Sequence, residues 1–243
     1  IPAHDSYVLD LAFTPDGQTL FSAGMDNMVK AWGVPAWSLT QTLAAHDKSV
    51  NTLALSPSCD LLATGSTDKT IKLWTLQNLD TPDGALRQTL RGHTKTVSSV
   101  AIAPDGRTLA SGGYEGQIRL WALPTGEPLA TLQGHEKNVA CVTFAPDGQT
   151  LASGGVGDAI RLWSIPSGAP RRALSGHKGA VIRLAFAPDG RTLASAGHEG
   201  TIKLWQTADW QVARTLTLGA RGVYPLAFGP DAQTLPAGMA NQV

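Results

Sequence analysis

Between Gly92 and Trp121 the chain reads GHTKTVSSVAIAPDGRTLASGGYEGQIRLW, which places a histidine (His93), a hydroxyl (Ser111) and a carboxylate (Glu115) within 23 positions. These are the parts of nucleophilic catalysis: the hydroxyl attacks, the imidazole takes its proton, and the carboxylate orients the imidazole. Such chemistry needs one activated nucleophile in one cleft, so the number of copies of the set matters. His4, His46, His93, His135 and His177 are separated by 42, 47, 42 and 42 residues, and Trp32, Trp74, Trp121, Trp163 and Trp205 each follow their histidine by 28. Ser22, Thr64, Ser111, Ser153 and Ser195 stand ten residues before the tryptophan, and Asp26, Asp68, Glu115 and Glu199 six before it. The fourth copy departs, with Gly157 in the acid's place and Asp158 one step later. Five sets at one period are five equivalent local structures, which argues for a structural role.

The elements that position them follow from the same repeat. VSSVAIA is an extended apolar stretch that ends at Pro-Asp-Gly, where proline presets φ and glycine permits the turn. TLASGG returns, Tyr-Glu-Gly turns again, QIRLW alternates with period two, and LPTG leads into PLATLQ. Each copy therefore predicts four short antiparallel strands. Both faces of such a sheet are apolar and need covering by neighbouring sheets. A period of 42 residues matches a four-stranded propeller blade.

With its Gly-His, serine or threonine, turn acid and tryptophan in each copy, the chain resembles the WD-repeat (WD-40) β-propeller family. The resemblance implies an all-β propeller with five complete blades and part of a sixth, a portion of a seven-bladed ring. The repeat units run at about 4–45, 46–92, 93–134, 135–176 and 177–218, with a partial unit at 219–243, in one domain. It also implies that the four side chains of each set form a buried hydrogen-bonded network. The aspartate that usually follows the tryptophan is absent: Gly33, Thr75, Ala122, Ser164 and Gln206 stand there. The second copy has SPSCD where others have APDG, and the sixth has Ala232 for glycine, Gly219 for histidine and Ala237 for serine. Five additional residues between Trp74 and His93 predict a projecting loop around Asn78 to Ala85.

Composition narrows the function classes. Nineteen basic residues balance nineteen acidic ones, with a pI near 7.2, so no net field favours nucleic acid or anionic lipid. No apolar run is long enough to span a bilayer. Cys59 and Cys141 form neither a CxxC pair nor a disulfide framework, which suits a reducing, cytoplasmic setting. The chain has no Gly-rich phosphate loop, HExxH or G-x-S-x-G, and neither cofactor nor metal is expected. Lys30, Lys72, Arg119, Arg161 and Lys203 recur two residues before each tryptophan and are expected to pack their stems along the sheets.

Antiparallel alternation puts the Gly-His segments and the acid turns at one end of the blades. The residues that vary there include Tyr7, Leu9, Met25, Tyr114, Ile182, His198 and Tyr224. The resemblance implies that such positions form a rim for a protein or peptide partner, while scattered apolar surface residues are also ordinary. His198, the one histidine outside the five sets, reads either as a solvated turn residue or as a binding or proton-transfer group. At the opposite end Trp37 and Trp210 occupy matching places and either cover strand edges or contribute to binding. The expected function is a non-enzymatic interaction scaffold, with self-association through open blade edges as a further possibility. The alternative is a propeller enzyme or small-ligand binder with a site at the central channel.

Overall fold

The computed structural model describes residues 4–76, 86–157, 159–218 and 223–239, with the side chains of 223–225 and 239 outside the description. The loop expected at Asn78 to Ala85 lies outside the described residues, apart from which the turn acid candidate Asp158 and Gly219 do too. Among the described residues there are five four-stranded antiparallel sheets and one two-stranded sheet. Blade one holds β1 (Val8–Phe13), β2 (Thr19–Gly24), β3 (Met28–Gly33) and β4 (Ser38–Ala44). Blade two holds β5 (Val50–Leu55), β6 (Leu61–Ser66), β7 (Ile71–Thr75) and β8 (Leu86–Leu90). Blade three holds β9 (Val97–Ile102), β10 (Thr108–Gly113), β11 (Gln117–Ala122) and β12 (Pro128–Gln133). Blade four holds β13 (Val139–Phe144), β14 (Thr150–Gly155), β15 (Ala159–Ser164) and β16 (Pro170–Ser175). Blade five holds β17 (Val181–Phe186), β18 (Thr192–Gly197), β19 (Thr201–Gln206) and β20 (Val212–Thr217), and the last pair is β21 (Val223–Leu226) with β22 (Ala237–Met239). Strands follow sequence order within every sheet, as short antiparallel connections require.

Turn chemistry fixes these connections. The glycine of each Pro-Asp-Gly turn is left-handed, with φ near 70° at Gly17, Gly106, Gly148 and Gly190. Where the sequence departs the backbone does not: Cys59 (φ 54°) and Ala232 (φ 56°) hold the same conformation, which costs a non-glycine residue about 1–2 kcal/mol. The turn before the outer strand repeats the pattern. Gly126 and Gly168 are left-handed, and Trp37 (φ 52°) and Trp210 (φ 62°) stand at the matching positions of blades one and five. Each of these tryptophans meets a phenylalanine edge to face at 6.4 Å, Trp37 with Phe13 and Trp210 with Phe186.

The chain gathers into two compact units, Ile1–Glu115 with Arg119–Leu129 and Gly116–Ile118 with Ala130–Val243. In the first, an apolar cluster including Phe21, Val29, Leu43, Val50, Leu53 and Trp74 joins blade one to blade two. A second, including Leu61, Leu73, Val97, Val100 and Trp121, joins blade two to blade three. Fully burying one such aliphatic side chain is worth about 1.5–3 kcal/mol, so inter-blade packing outweighs any single polar contact. Hydrogen bonds set the register of the stack: the Leu53 amide donates to Asp10 at 2.9 Å, and the Val100 amide to the Thr52 hydroxyl at 3.1 Å. In the second unit Cys141, Ile160, Leu162, Val181 and Trp205 join blades four and five. Ile182, Ala194, Ile202 and Leu226 join blade five to the last strand pair.

Candidate functional site

The end of the second strand, the turn after it, and the segment before the first strand bring the repeated side chains together. In blade five the Trp205 indole donates to Ser195 Oγ at 2.8 Å, Ser195 and His177 Nε2 are 2.7 Å apart, and His177 Nδ1 lies 2.6 Å from Glu199 Oε1. Blade three repeats this with Trp121, Ser111, His93 and Glu115, the indole bond being 2.9 Å and the hydroxyl–imidazole bond 2.7 Å. Blade one does so with Trp32, Ser22, His4 and Asp26, and blade two with Trp74, Thr64, His46 and Asp68, their histidine–carboxylate distances both 2.8 Å. A carboxylate can only accept and an indole can only donate. The chain of bonds therefore runs one way: imidazole Nδ1–H to carboxylate, hydroxyl to Nε2, indole N–H to the hydroxyl oxygen.

This is the connectivity of a catalytic triad without its access. Ser111, Ser153, Ser195 and Thr64 are 0% exposed and Ser22 is 2% exposed, and an indole N–H already occupies a lone pair of each oxygen. A nucleophile needs an open approach, which these buried hydroxyls lack. The glycine before the turn is what lets the acid close on the ring. A Cβ on Gly113 would lie 2.5 Å from both Glu115 Oε2 and His93 Nδ1.

Burial and hydrogen bonding fix the charge states. Burial pulls His46, His93 and His177 below the ordinary imidazole range, and the facing carboxylate opposes it only in part. Burial pushes the Glu199 carboxyl up, but hydrogen bonds from Thr201 and His177 outweigh it and bring it down to about 2. Asp26 and Asp68 are lowered in the same way, against burial, by hydrogen bonds from His4 and the Met28 amide in one case and from Thr70 together with His46 in the other. At neutral pH the sets of blades two and five are thus each a neutral imidazole donating to an ionised carboxylate.

Sequence reasoning missed the part played by the repeated cations. Register pairs Ser22 with Lys30, Thr64 with Lys72, Ser153 with Arg161 and Ser195 with Lys203 across adjacent strands, so each cation projects beside its set. Lys72, Arg119 and Lys203 all depress the neighbouring histidine. Lys72 also sits over the Trp74 ring at 5.8 Å, and Lys203 donates to Thr215 at 3.1 Å. The constant two-residue spacing to the tryptophan was the available signal.

Blade four keeps the indole bond from Trp163 to Ser153 (2.9 Å) and the bond between Ser153 and His135 Nε2 (2.7 Å). Gly157 brings no carboxylate, and among the described residues nothing accepts from His135 Nδ1. Burial, reinforced by the positive charge of Arg161, takes His135 down to about 4. A cavity of about 230 Å³ opens there, lined by His135, Glu136, Lys137, Val156, Gly157, Ala159 and Arg161.

Of the variable positions at the histidine end, Tyr7 (77%), Tyr114 (48%) and Met25 (45%) are exposed, as is His198, and Leu9 is half-buried. The backbone ties them pairwise: the Met25 amide donates to the Tyr7 carbonyl and the His198 amide to the Ala180 carbonyl. Ile182 does not belong with them. It is 7% exposed and packs with Ala194, Ile202 and Leu226, because the next strand pair covers this position in blade five. The Tyr224 backbone lies in β21, with its side chain outside the described residues.

The family model described as WD domain, G-beta repeat matches residues 1–33, 37–75, 84–122, 126–164 and 168–206. The chain belongs to the WD-repeat family. Each matched WD repeat ends on the last residue of the tryptophan strand, so four of them take the outer strand of one blade and the three inner strands of the next. A repeat that straddles two blades ties neighbours together covalently. No curated protein matches the chain.

Proposed function

We propose that this WD-repeat chain is a non-enzymatic scaffold that binds a protein or peptide through the histidine-side rim. The supporting observation is that Tyr7, Met25 and Tyr114 hold large apolar side chains in water on turns braced by buried hydrogen-bond sets. Rigid aromatic anchors contribute disproportionately to binding. A reducing, cytoplasmic setting belongs to the same proposal, and the free thiols of Cys59 and Cys141 are compatible with it. The test is capture of cellular partners by the wild-type chain and by a variant with Tyr7, Met25, Tyr114 and His198 changed to serine. Loss of capture with an unchanged melting curve supports the rim; undiminished capture contradicts it. Labelling of Ser111 by a fluorophosphonate would contradict the non-enzymatic part.

A second contact is favoured by blade one. Leu11 is 56% exposed, whereas its counterparts Leu53, Val100 and Leu184 are 6–8% exposed beneath a neighbouring blade. Phe13 (52%), Leu39 (50%) and Val8 (42%) are exposed on the same blade. The Leu11 amide donates to its own Asp10 at 3.0 Å, where Leu53 and Val100 use an acceptor on the adjoining blade. The proposed occupant is a WD blade of a second copy. Sedimentation across a concentration series should show association that Leu11→Glu abolishes; a concentration-independent monomer contradicts it.

A further inference from the structure

The vacancy in the blade-four set has a shape that the other blades define. In blade two one oxygen of Asp68 accepts from His46 Nδ1 at 2.8 Å and from the Asp47 amide at 3.3 Å, while the other accepts from the Thr70 amide at 2.9 Å. In blade one His4 Nδ1 reaches both Asp26 oxygens at 2.8 Å, one of which also accepts from the Asp5 amide and the other from the Met28 amide. Glu199 accepts from His177 Nδ1 and the Lys178 amide in blade five, at 2.6 and 3.4 Å. The recurring donor pair is thus an imidazole Nδ1–H and the amide of the next residue, both aimed at one carboxylate oxygen.

Blade four retains that pair as His135 Nδ1 and the Glu136 amide and, among the described residues, lacks the acceptor. It also retains the cation, since Ser153 faces Arg161 across the strands, and among the described residues no turn acid stands beside it. The space is open: a Cβ on Gly157 would meet nothing within 4 Å, and the cavity of about 230 Å³ has Arg161, Lys137 and His135 on its walls. Glu136 also lines it and opposes an anion, so the donors must outnumber that charge. Two or more charge-assisted donors converging on one oxygen pair are a recognition site for a planar carboxylate.

We propose that the cavity of blade four is a carboxylate-binding site, in which an external carboxylate takes the place of the turn acid. The ligand's carboxylate accepts from His135 Nδ1–H and from the Glu136 amide, and Arg161 supplies the balancing charge. The source is either a small free acid or an acidic side chain of a bound peptide. The site does not depend on the rim described above, since a small acid can occupy it alone.

The test follows the ring nitrogens of His135 by NMR of the whole 243-residue chain while acetate replaces chloride at constant ionic strength. The expected result is a saturable shift confined to His135, with its titration midpoint moving upward from about 4. Arg161→Gln should weaken the response by about tenfold. The double variant Gly157→Glu with Asp158→Gly copies the Glu-Gly sequence of blades three and five; once its turn leaves the +134° φ of Gly157 it seats a carboxylate on His135, seen as a downfield Nδ1–H, and should then abolish the response. A blocked peptide with one glutamate, compared with its glutamine twin, separates the sources. A response to the glutamate peptide alone at lower concentration than acetate assigns a side chain, and a response to acetate alone assigns a small acid. An acetate response in the double variant equal to wild type overturns the site. So does a wild-type chain that ignores acetate.

Discussion

Blades four and five share one compact unit and one repeat motif, yet they differ at the joint between turn and strand. Both bury a serine beneath a histidine and a tryptophan, with matching bond lengths. In blade five Glu199 completes the set and gathers bonds from His177, the Lys178 amide and Thr201. In blade four Ala159 replaces the threonine and Gly157 the acid, and a cavity takes their place. The comparison separates two contributions that the repeat otherwise merges. Packing of Leu151, Ile160 and Leu162, all fully or nearly fully buried, suffices to build the blade. The carboxylate adds closure of the turn and a settled charge state for the histidine.

The largest effect that could break this comparison comes from deleting the imidazole. His177→Ala strands both a carboxylate and a buried hydroxyl, and each orphaned group costs roughly 1–3 kcal/mol. His135→Ala strands only the hydroxyl, so chemical denaturation should show it to be the milder change by at least about 1 kcal/mol. Equal costs would mean that the carboxylate contributes nothing.

Hydrogen exchange sharpens the same contrast, because local opening follows missing buried contacts. Amides from Ser153 to Trp163 should exchange faster than those from Ser195 to Trp205. Acid should widen the gap. The folded-state pKa of His135, about 4, lies below its ordinary 6.5, so the unfolded chain takes up that proton first as pH falls. Its contribution to stability is whole above about 6.5 and is lost as pH falls through about 4. Glu199, at about 2 against 4.5, keeps its contribution down to about 4.5 and loses it only towards 2. His177 is lowered in the same direction, with Glu199 opposing the shift. Between about pH 7 and about pH 5, exchange corrected for its intrinsic rate should therefore rise more in blade four than in blade five. A parallel rise in both would refute the assignment.

The smallest effect belongs to a turn outside the sets and serves as a control. Cys59→Gly relieves a left-handed cysteine in blade two and should stabilise the chain by about 0.5–1 kcal/mol, leaving the contrast between blades four and five untouched. A destabilisation would show that the Cys59 side chain, half-buried in its turn, contributes more than the strain it imposes.

Strands, turns and hydrogen-bond sets were legible because each rests on a residue type whose chemistry admits few alternatives. A left-handed turn position selects glycine, as at Gly106 and Gly190, and a donor-only indole needs an acceptor, as at Trp121. Ile182 was placed on the rim because its position varies between copies, and variation does not tell whether the next strand pair covers a position, as it does in blade five. Its counterpart Asn51 reaches across to the Val97 carbonyl at 2.9 Å, which marks the position as one between blades. The cation beside each set was visible as a spacing, but its partner emerges only from the pairing of the second and third strands. Gly157 announced a missing acid; the room left behind depends on backbone geometry that no spacing encodes.

The claim that carboxylates, added to burial, hold these sets closed is tested most directly by the ring N–H protons of the histidines in one NMR spectrum at neutral pH. His4, His46, His93 and His177 should each show a protected, strongly downfield Nδ1–H donated to its carboxylate, and His135 should show none. A fifth signal of equal protection from His135 would contradict the account, as would the absence of all five.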